Sequence, residues 1–293
     1  MTELPVIDVS GLTSAEFSKR AAVAAKLGKA CRETGFFYVV SHGIPGAARD
    51  AIFAAARAFF SLPLAAKEAC SIKRSRHNRG YVALEGERLN ESAVLSDYKE
   101  AFNVGLELAA DHPEVLAGRP FRGINLWPAI SGWRETVLAY YDACWNLGRR
   151  IHRGFALDLG VAEDFFENKL DAPLAILRML HYPPQPQRRD QAPESGAGMH
   201  TDYGNLTILA TDGVAGLQVR AKRRLAGRTA HSGRFRLQYR RLLDALDERR
   251  LPLNAPPGCD PCPRPIFGGV FSRSQSGCPR RGVAELHGAW HPA

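Results

Sequence analysis

Apolar positions recur at helical spacing in three stretches of this chain and crowd into strand-like runs in five others. Phe17, Ala21, Ala24, Leu27 and Cys31 predict a helix from Ser14 to Cys31, with Ser14 placed to cap it. A second helix is predicted from about Gly46 to Phe60, ahead of Leu62-Pro63. A third runs from Ala129 to about Leu159, its stripe made by Trp133, Val137, Tyr140, Tyr141, Cys144, Leu147 and Ile151. Strands are predicted at Leu4–Val9, Gly35–Val40, Leu174–Tyr182, Asn205–Leu209 and Gly216–Val219, with a turn at Ser41–Pro45. Asn78–Tyr81 reads as a loop or a short strand. Helices come first and antiparallel-looking strands follow, which predicts an α+β class with its β core late in the chain.

Composition adds bounds. A chain of 293 residues makes one large domain or two small ones, and 45% apolar with 24% charged residues is an ordinary globular mix. No apolar run approaches the ~18 residues of a membrane span. Met1-Thr2-Glu3-Leu4-Pro5 lacks the basic and apolar regions of a secretory signal. Six cysteines are too sparse for a disulfide scaffold. A reducing, cytoplasmic location and no membrane partner are the expectations.

The net charge of +9 is unevenly placed. Residues 221–293 hold 14 Lys+Arg against 5 Asp+Glu, so residues 1–220 hold 25 of each and balance to zero. The same tail carries 8 of the 19 prolines and 3 of the 6 cysteines.

One short motif carries chemistry. Met199-His200-Thr201-Asp202-Tyr203 contains His-x-Asp. Alternate residues of an extended segment point to one side, so His200 and Asp202 can converge on one ion. An imidazole and a carboxylate are two thirds of the 2-His-1-carboxylate triad, which suits non-haem Fe(II) and leaves positions open for cosubstrate and O2. Alone, the pair is a weak signal.

Its context strengthens it. LPVIDVSGL (Leu4–Leu12), ETGFFYVVSHGIP (Glu33–Pro45), FFSLP (Phe59–Pro63), NRGY (Asn78–Tyr81), LRMLHYPP (Leu177–Pro184), MHTDYGNLTIL (Met199–Leu209) and GLQVR (Gly216–Arg220) follow one another in order. Through them the chain resembles the isopenicillin N synthase-like branch of the Fe(II)/2-oxoglutarate-dependent oxygenases. The resemblance implies a double-stranded β-helix (jelly-roll) core behind an α-rich N-terminal region. It divides the chain into a non-haem dioxygenase N-terminal region (1–120), a long helical segment (121–172) and the start of the jelly roll (173–220). It implies Fe(II), 2-oxoglutarate as cosubstrate, O2 and a small-molecule substrate whose oxidation is coupled to 2-oxoglutarate decarboxylation. His200 and Asp202 become metal ligands, and Tyr182 lies near 2-oxoglutarate. Leu180 stands where many relatives carry asparagine. His42 and His181 read as structural, Arg79 and Tyr81 as a substrate mouth or a loop anchor, and Lys99 and Glu100 as solvated.

Two family features are missing after Arg220: the second histidine ligand, expected near Pro256, and an Arg-x-Ser pair for the far carboxylate of 2-oxoglutarate. His231, His287 and His291 have no familiar neighbours, and Cys259-x-x-Cys262 lacks a partner pair for zinc. The segment is short of Val and Ile and lacks β patterning, so the jelly roll is expected to be incomplete. A frameshift accounts for this. Taking the last two bases of each codon with the first of the next, Gln238–Arg241 can read NIGD, Pro256-Pro257 can read HR, and Pro265-Ile266-Phe267 can read RYS. The tail is then an out-of-frame text, the basic charge needs no nucleic-acid partner, and the chain as written is impaired or inactive. The competing reading is a non-catalytic jelly-roll-derived binding protein whose basic tail holds nucleic acid or an acidic partner.

Overall fold

A computed structural model describes residues 4–84, 86, 98–184, 205–212, 214, 218–221, 224–227, 235–239 and 282–288. In chain order the elements are β1 (Val6–Asp8), α1 (Phe17–Glu33), β2 (Phe36–Val40), α2 (Gly46–Phe60), α3 (Leu64–Glu68), β3 (Gly80–Val82), β4 (Glu100–Gly105), α4 (Pro113–Leu116), α5 (Trp133–Leu159), β5 (Ile176–His181), β6 (Leu206–Thr211), β7 (Gln218–Ala221), β8 (Arg224–Gly227), β9 (Phe235–Tyr239) and β10 (Gly282–Gly288). The class is α+β, as expected.

The three predicted helices form, with instructive differences at their starts. Ser14 does not cap α1: its Oγ accepts from the Glu16 N–H at 3.1 Å, closing a local turn, and Phe17 is left exposed. α5 begins at Trp133 because Gly132 before it sits in the left-handed region at φ +69°. It ends on a second left-handed glycine, Gly160. The whole predicted stripe of α5 is buried, and the Trp133 Nε1–H donates to the Ala55 carbonyl at 2.9 Å, pinning α5 to α2.

Eight strands form one sheet in the order β1-β2-β9-β6-β10-β5-β4-β3. β1 and β2 are parallel and every other pair in it is antiparallel. Strands from either side of residues 120 and 172 share this sheet. The β7–β8 pair stands apart. Register separates two faces. The first carries Phe37, Ile208, Leu177 and Val104 in one row and Ala210, Met179, Phe102 and Tyr81 in the next. All are buried in the main core with α1, α2 and α5. No helix among the described residues is long and apolar enough to cross a membrane.

The tail corrects one expectation. It lacks β patterning as a whole, yet β8, β9 and β10 lie within it, and β10 pairs with β5 on one side and β6 on the other. Tertiary pairing overrides composition here, because a gap between two strands supplies hydrogen-bond partners on both sides. Gly282–Gly288 also alternates: Val283, Glu285 and His287 take the register positions of one face, Ala284 and Leu286 those of the other.

Gly80 tests the sheet edge. Its φ is +105°, and a Cβ there would lie 2.3 Å from the Cys70 carbonyl oxygen. Gly80→Ala should lower stability by about 1–3 kcal/mol, read as a reduced urea midpoint with an unchanged slope.

Candidate active site

The second face of the sheet is different in kind. Val82, Ala101, Leu180, Tyr182 and Leu209 form a small apolar cluster on it. The same face carries Asn103 and Arg178, opposite each other in register, with Thr207 on β6 and Asn205 just before it. All four are buried. Register also sets Glu285 of β10 opposite Arg178. The Asn103 Nδ2 donates to Asn78 Oδ1 at 3.2 Å, while the buried Oδ1 atoms of Asn103 and Asn205 have no hydrogen-bond partner among the described residues. A buried polar face with open acceptors, beside apolar walls, is what a small polar ligand requires.

Tyr182 follows β5 directly and is 1% exposed, packed in the apolar cluster with Leu180. His200 and Asp202 lie outside the described residues, as does the region near Pro256 where a third ligand is expected. Asp202 precedes Asn205 by three residues and β6 by four. The described residues contain no group of three His, Cys, Asp or Glu side chains able to hold a metal. One nitrogen and one carboxylate donor suit ferrous iron, and they are two of the three such a centre uses.

On the first face, at the sheet's edge, lies an ionic hub. Glu100 opens β4 opposite His181 of β5, and the His181 Nδ1 lies 2.7 Å from Glu100 Oε1. Lys67 Nζ and the Tyr81 hydroxyl both donate to Oε2, at 2.8 and 2.6 Å. The His181 ring stacks on Phe60 with centroids 5.3 Å apart. Burial pushes the Glu100 carboxyl up, but the hydrogen bonds from His181, Lys67 and Tyr81 outweigh it and hold the group below its ordinary value. Burial and the same carboxylate push the Tyr81 phenol up.

The expectation that Lys99 and Glu100 are solvated is therefore wrong: they are 2% and 6% exposed. Glu100 opens β4 and Lys99 directly precedes it; no predicted strand covered this segment, and β3 and β5 flank it on both sides. The signal was present in Glu100-Phe102-Val104, which alternates with Ala101-Asn103-Gly105. Arg79 is a loop anchor. Its guanidinium donates to the carbonyls of His77 and Phe121, at 2.7 and 3.1 Å, and occupies the space a Cβ on Gly105 would need. Burial lowers its pKa to about 10. His42 holds its turn by accepting the Ile44 N–H at 3.1 Å, with its ring edge-on to Phe235.

Glu100→Gln should destabilise the fold by about 2–3 kcal/mol at pH 7, because it leaves the partly buried Lys67 without its counter-charge. A carboxyl held low in the folded state stabilises fully above its unfolded pKa and loses that contribution as pH falls through the folded value. Urea titrations should therefore show the wild-type advantage shrinking below about pH 4.5, the unshifted value.

Comparisons with known proteins add the following. The family model described as "non-haem dioxygenase in morphine synthesis N-terminal" matches residues 4–130. The 2-oxoglutarate-Fe(II) type oxidoreductase hxnY of Emericella nidulans is 36% identical over 222 residues, covering 74% of this chain and 63% of that protein. The 2-oxoglutarate-dependent dioxygenase tropC of Talaromyces stipitatus is 34% identical over 232 residues, covering 74% of this chain and 69% of that protein. Emericella hxnY and three other relatives are spanned over only 61–66% of their length. A full-length Neurospora crassa protein, crystallised in complex with alpha-KG, superposes with a TM-score of 0.78 at 22% identity, over 98% of this chain and 85% of that one. That likeness carries the fold, a jelly-roll core behind helices.

Proposed function

The chain belongs to the Fe(II)/2-oxoglutarate-dependent oxygenases, and from that membership we propose that its site is built for 2-oxoglutarate-driven oxidation of a small molecule. His200 and Asp202 would hold the iron, as alternate residues of one segment. When bound, iron supplies the centre at which O2 is consumed as 2-oxoglutarate is decarboxylated to succinate and CO2. Tyr182 offers its hydroxyl to the 2-oxoglutarate carboxylate, and Val82, Leu180 and Leu209 keep water from that wall. The observation that carries this reading is the buried second face, where the apolar walls of Val82, Leu180 and Leu209 meet the buried polar side chains of Asn103, Arg178, Asn205 and Thr207.

The proposal has a second part: the text after about Arg220 is out of frame, and the chain as written is impaired. Relatives match 73–75% of the chain, a share equal in length to about 220 residues. The family motifs in the sequence run over a similar length, from Leu4 to Arg220. The proposed domain scheme is then a helical N-terminal region, a long helix, an interrupted jelly roll and a basic tail at 221–293.

Sequencing the gene across the codons of Arg220 and Ala221 should find one base gained or lost. The chain as written should form no succinate from 2-oxoglutarate under air, and the one-base-corrected protein should form it. Turnover by the uncorrected chain at the corrected rate would overturn this second part. In the corrected protein, Tyr182→Phe should weaken 2-oxoglutarate binding roughly tenfold or more, since a hydrogen bond to a charged group is lost. Equilibrium titration of the iron-loaded protein reads that change.

A further inference from the structure

A cavity of about 460 Å³ lies away from the candidate active site, between α5, the turn after β2 and the 3-10 turn at Glu167–Lys169. Asn146, Arg149, Arg150 and Arg153 of α5 line it, with Gly43 and Glu167. Arg149 and Arg150 lie three and four residues after Asn146, and Arg153 lies four and three after them, so the four form a stripe beside the buried one. α5 packs on the first face, where Ile208 comes up to Gly148, so the cavity and Tyr182 are on opposite sides of the sheet.

Three guanidiniums and one carboxylate line the cavity, and two of the three pair with that carboxylate. Glu167 is shared: one oxygen takes Arg149, and the other lies 3.0 Å from Arg153 Nε. Arg150 makes no ion pair among the described residues. Its Nη2 donates to the His42 carbonyl at 2.7 Å, which orients the guanidinium without cancelling its charge. Its Nε is buried and has no acceptor among the described residues. Gly43, at φ +78°, leaves the room that Arg150 occupies: a Cβ there would lie 3.4 Å from Nη1. The wall is therefore left with two uncompensated positive charges among the residues that line it. Residues 1–220 are neutral as a whole, so this is a local concentration and not part of a basic surface. Arginines held in fixed geometry around a concavity are suited to oxyanions, which accept several N–H donors at once.

We propose that this cavity binds a small, multiply charged oxyanion of the phosphate or polycarboxylate class. Its volume suits a metabolite-scale anion. All its lining residues among those described precede residue 170, and so lie before the proposed shift of frame.

The test is calorimetric titration of the full chain, in chloride buffer, with inorganic phosphate and separately with citrate. One-to-one binding below about 1 mM is expected for at least one of them, which identifies the class. Arg149→Gln/Arg153→Gln should weaken it roughly tenfold or more. Glu167→Gln should strengthen it, a gain that misfolding cannot imitate. Absence of binding by both anions at 10-fold higher concentration, or equal affinity in the arginine double variant, overturns the proposal. Iron and 2-oxoglutarate binding by the frame-corrected protein should be unchanged in these variants, which separates failure here from failure of the oxygenase reading.

Discussion

Side chains two apart on a strand share a face, and that constraint organises this protein from β3 to β2. Away from the Glu100–His181 pair at the edge, the rows on the first face are apolar among the described side chains and sink into the helices. The rows on the second mix apolar with polar groups. A one-residue slip of β5 would bury Arg178 among Phe59, Phe102 and Trp133 and turn Met179 outward. The cost of burying an unpaired guanidinium among aromatic rings fixes the register. The position of Tyr182, one residue beyond the strand, is fixed with it.

The Glu100 hub performs a related task at the sheet edge. One carboxylate gathers an ammonium from α3, a phenol from β3 and an imidazole from β5, so three elements are tied to the first residue of β4. Since His181 immediately precedes Tyr182, the same contacts define where the candidate ligand-facing phenol begins. A buried carboxylate with three partners tolerates little displacement, because each lost hydrogen bond exposes its desolvation cost.

The tail shows how far pairing can substitute for pattern. β10 fills a slot between β5 and β6, and its register agrees with both strands. That agreement satisfies backbone hydrogen bonds, but it supplies neither the imidazole near Pro256 nor an Arg-x-Ser pair. Completing a sheet and completing an active site are thus separate demands, and the residues after Arg220 meet part of the first.

Read alone, the sequence determined the three long helices and most strands of the first 220 residues, because their apolar periods are long and turn residues mark their ends; the short α3 and α4 carry too few turns to show a period. The α5 stripe and the span of α2 were legible to the residue. It also determined the family, through motifs whose order local chemistry cannot produce by accident. Tertiary structure alone decided that Lys99 and Glu100 are buried, that Arg79 serves as an anchor and that Ser14 is not a cap. It alone brought Arg149, Arg150, Arg153 and Glu167 around one cavity with Gly43. The reason is physical: periodicity reports which side of its own element a residue takes, whereas burial and charge pairing depend on which other element arrives there.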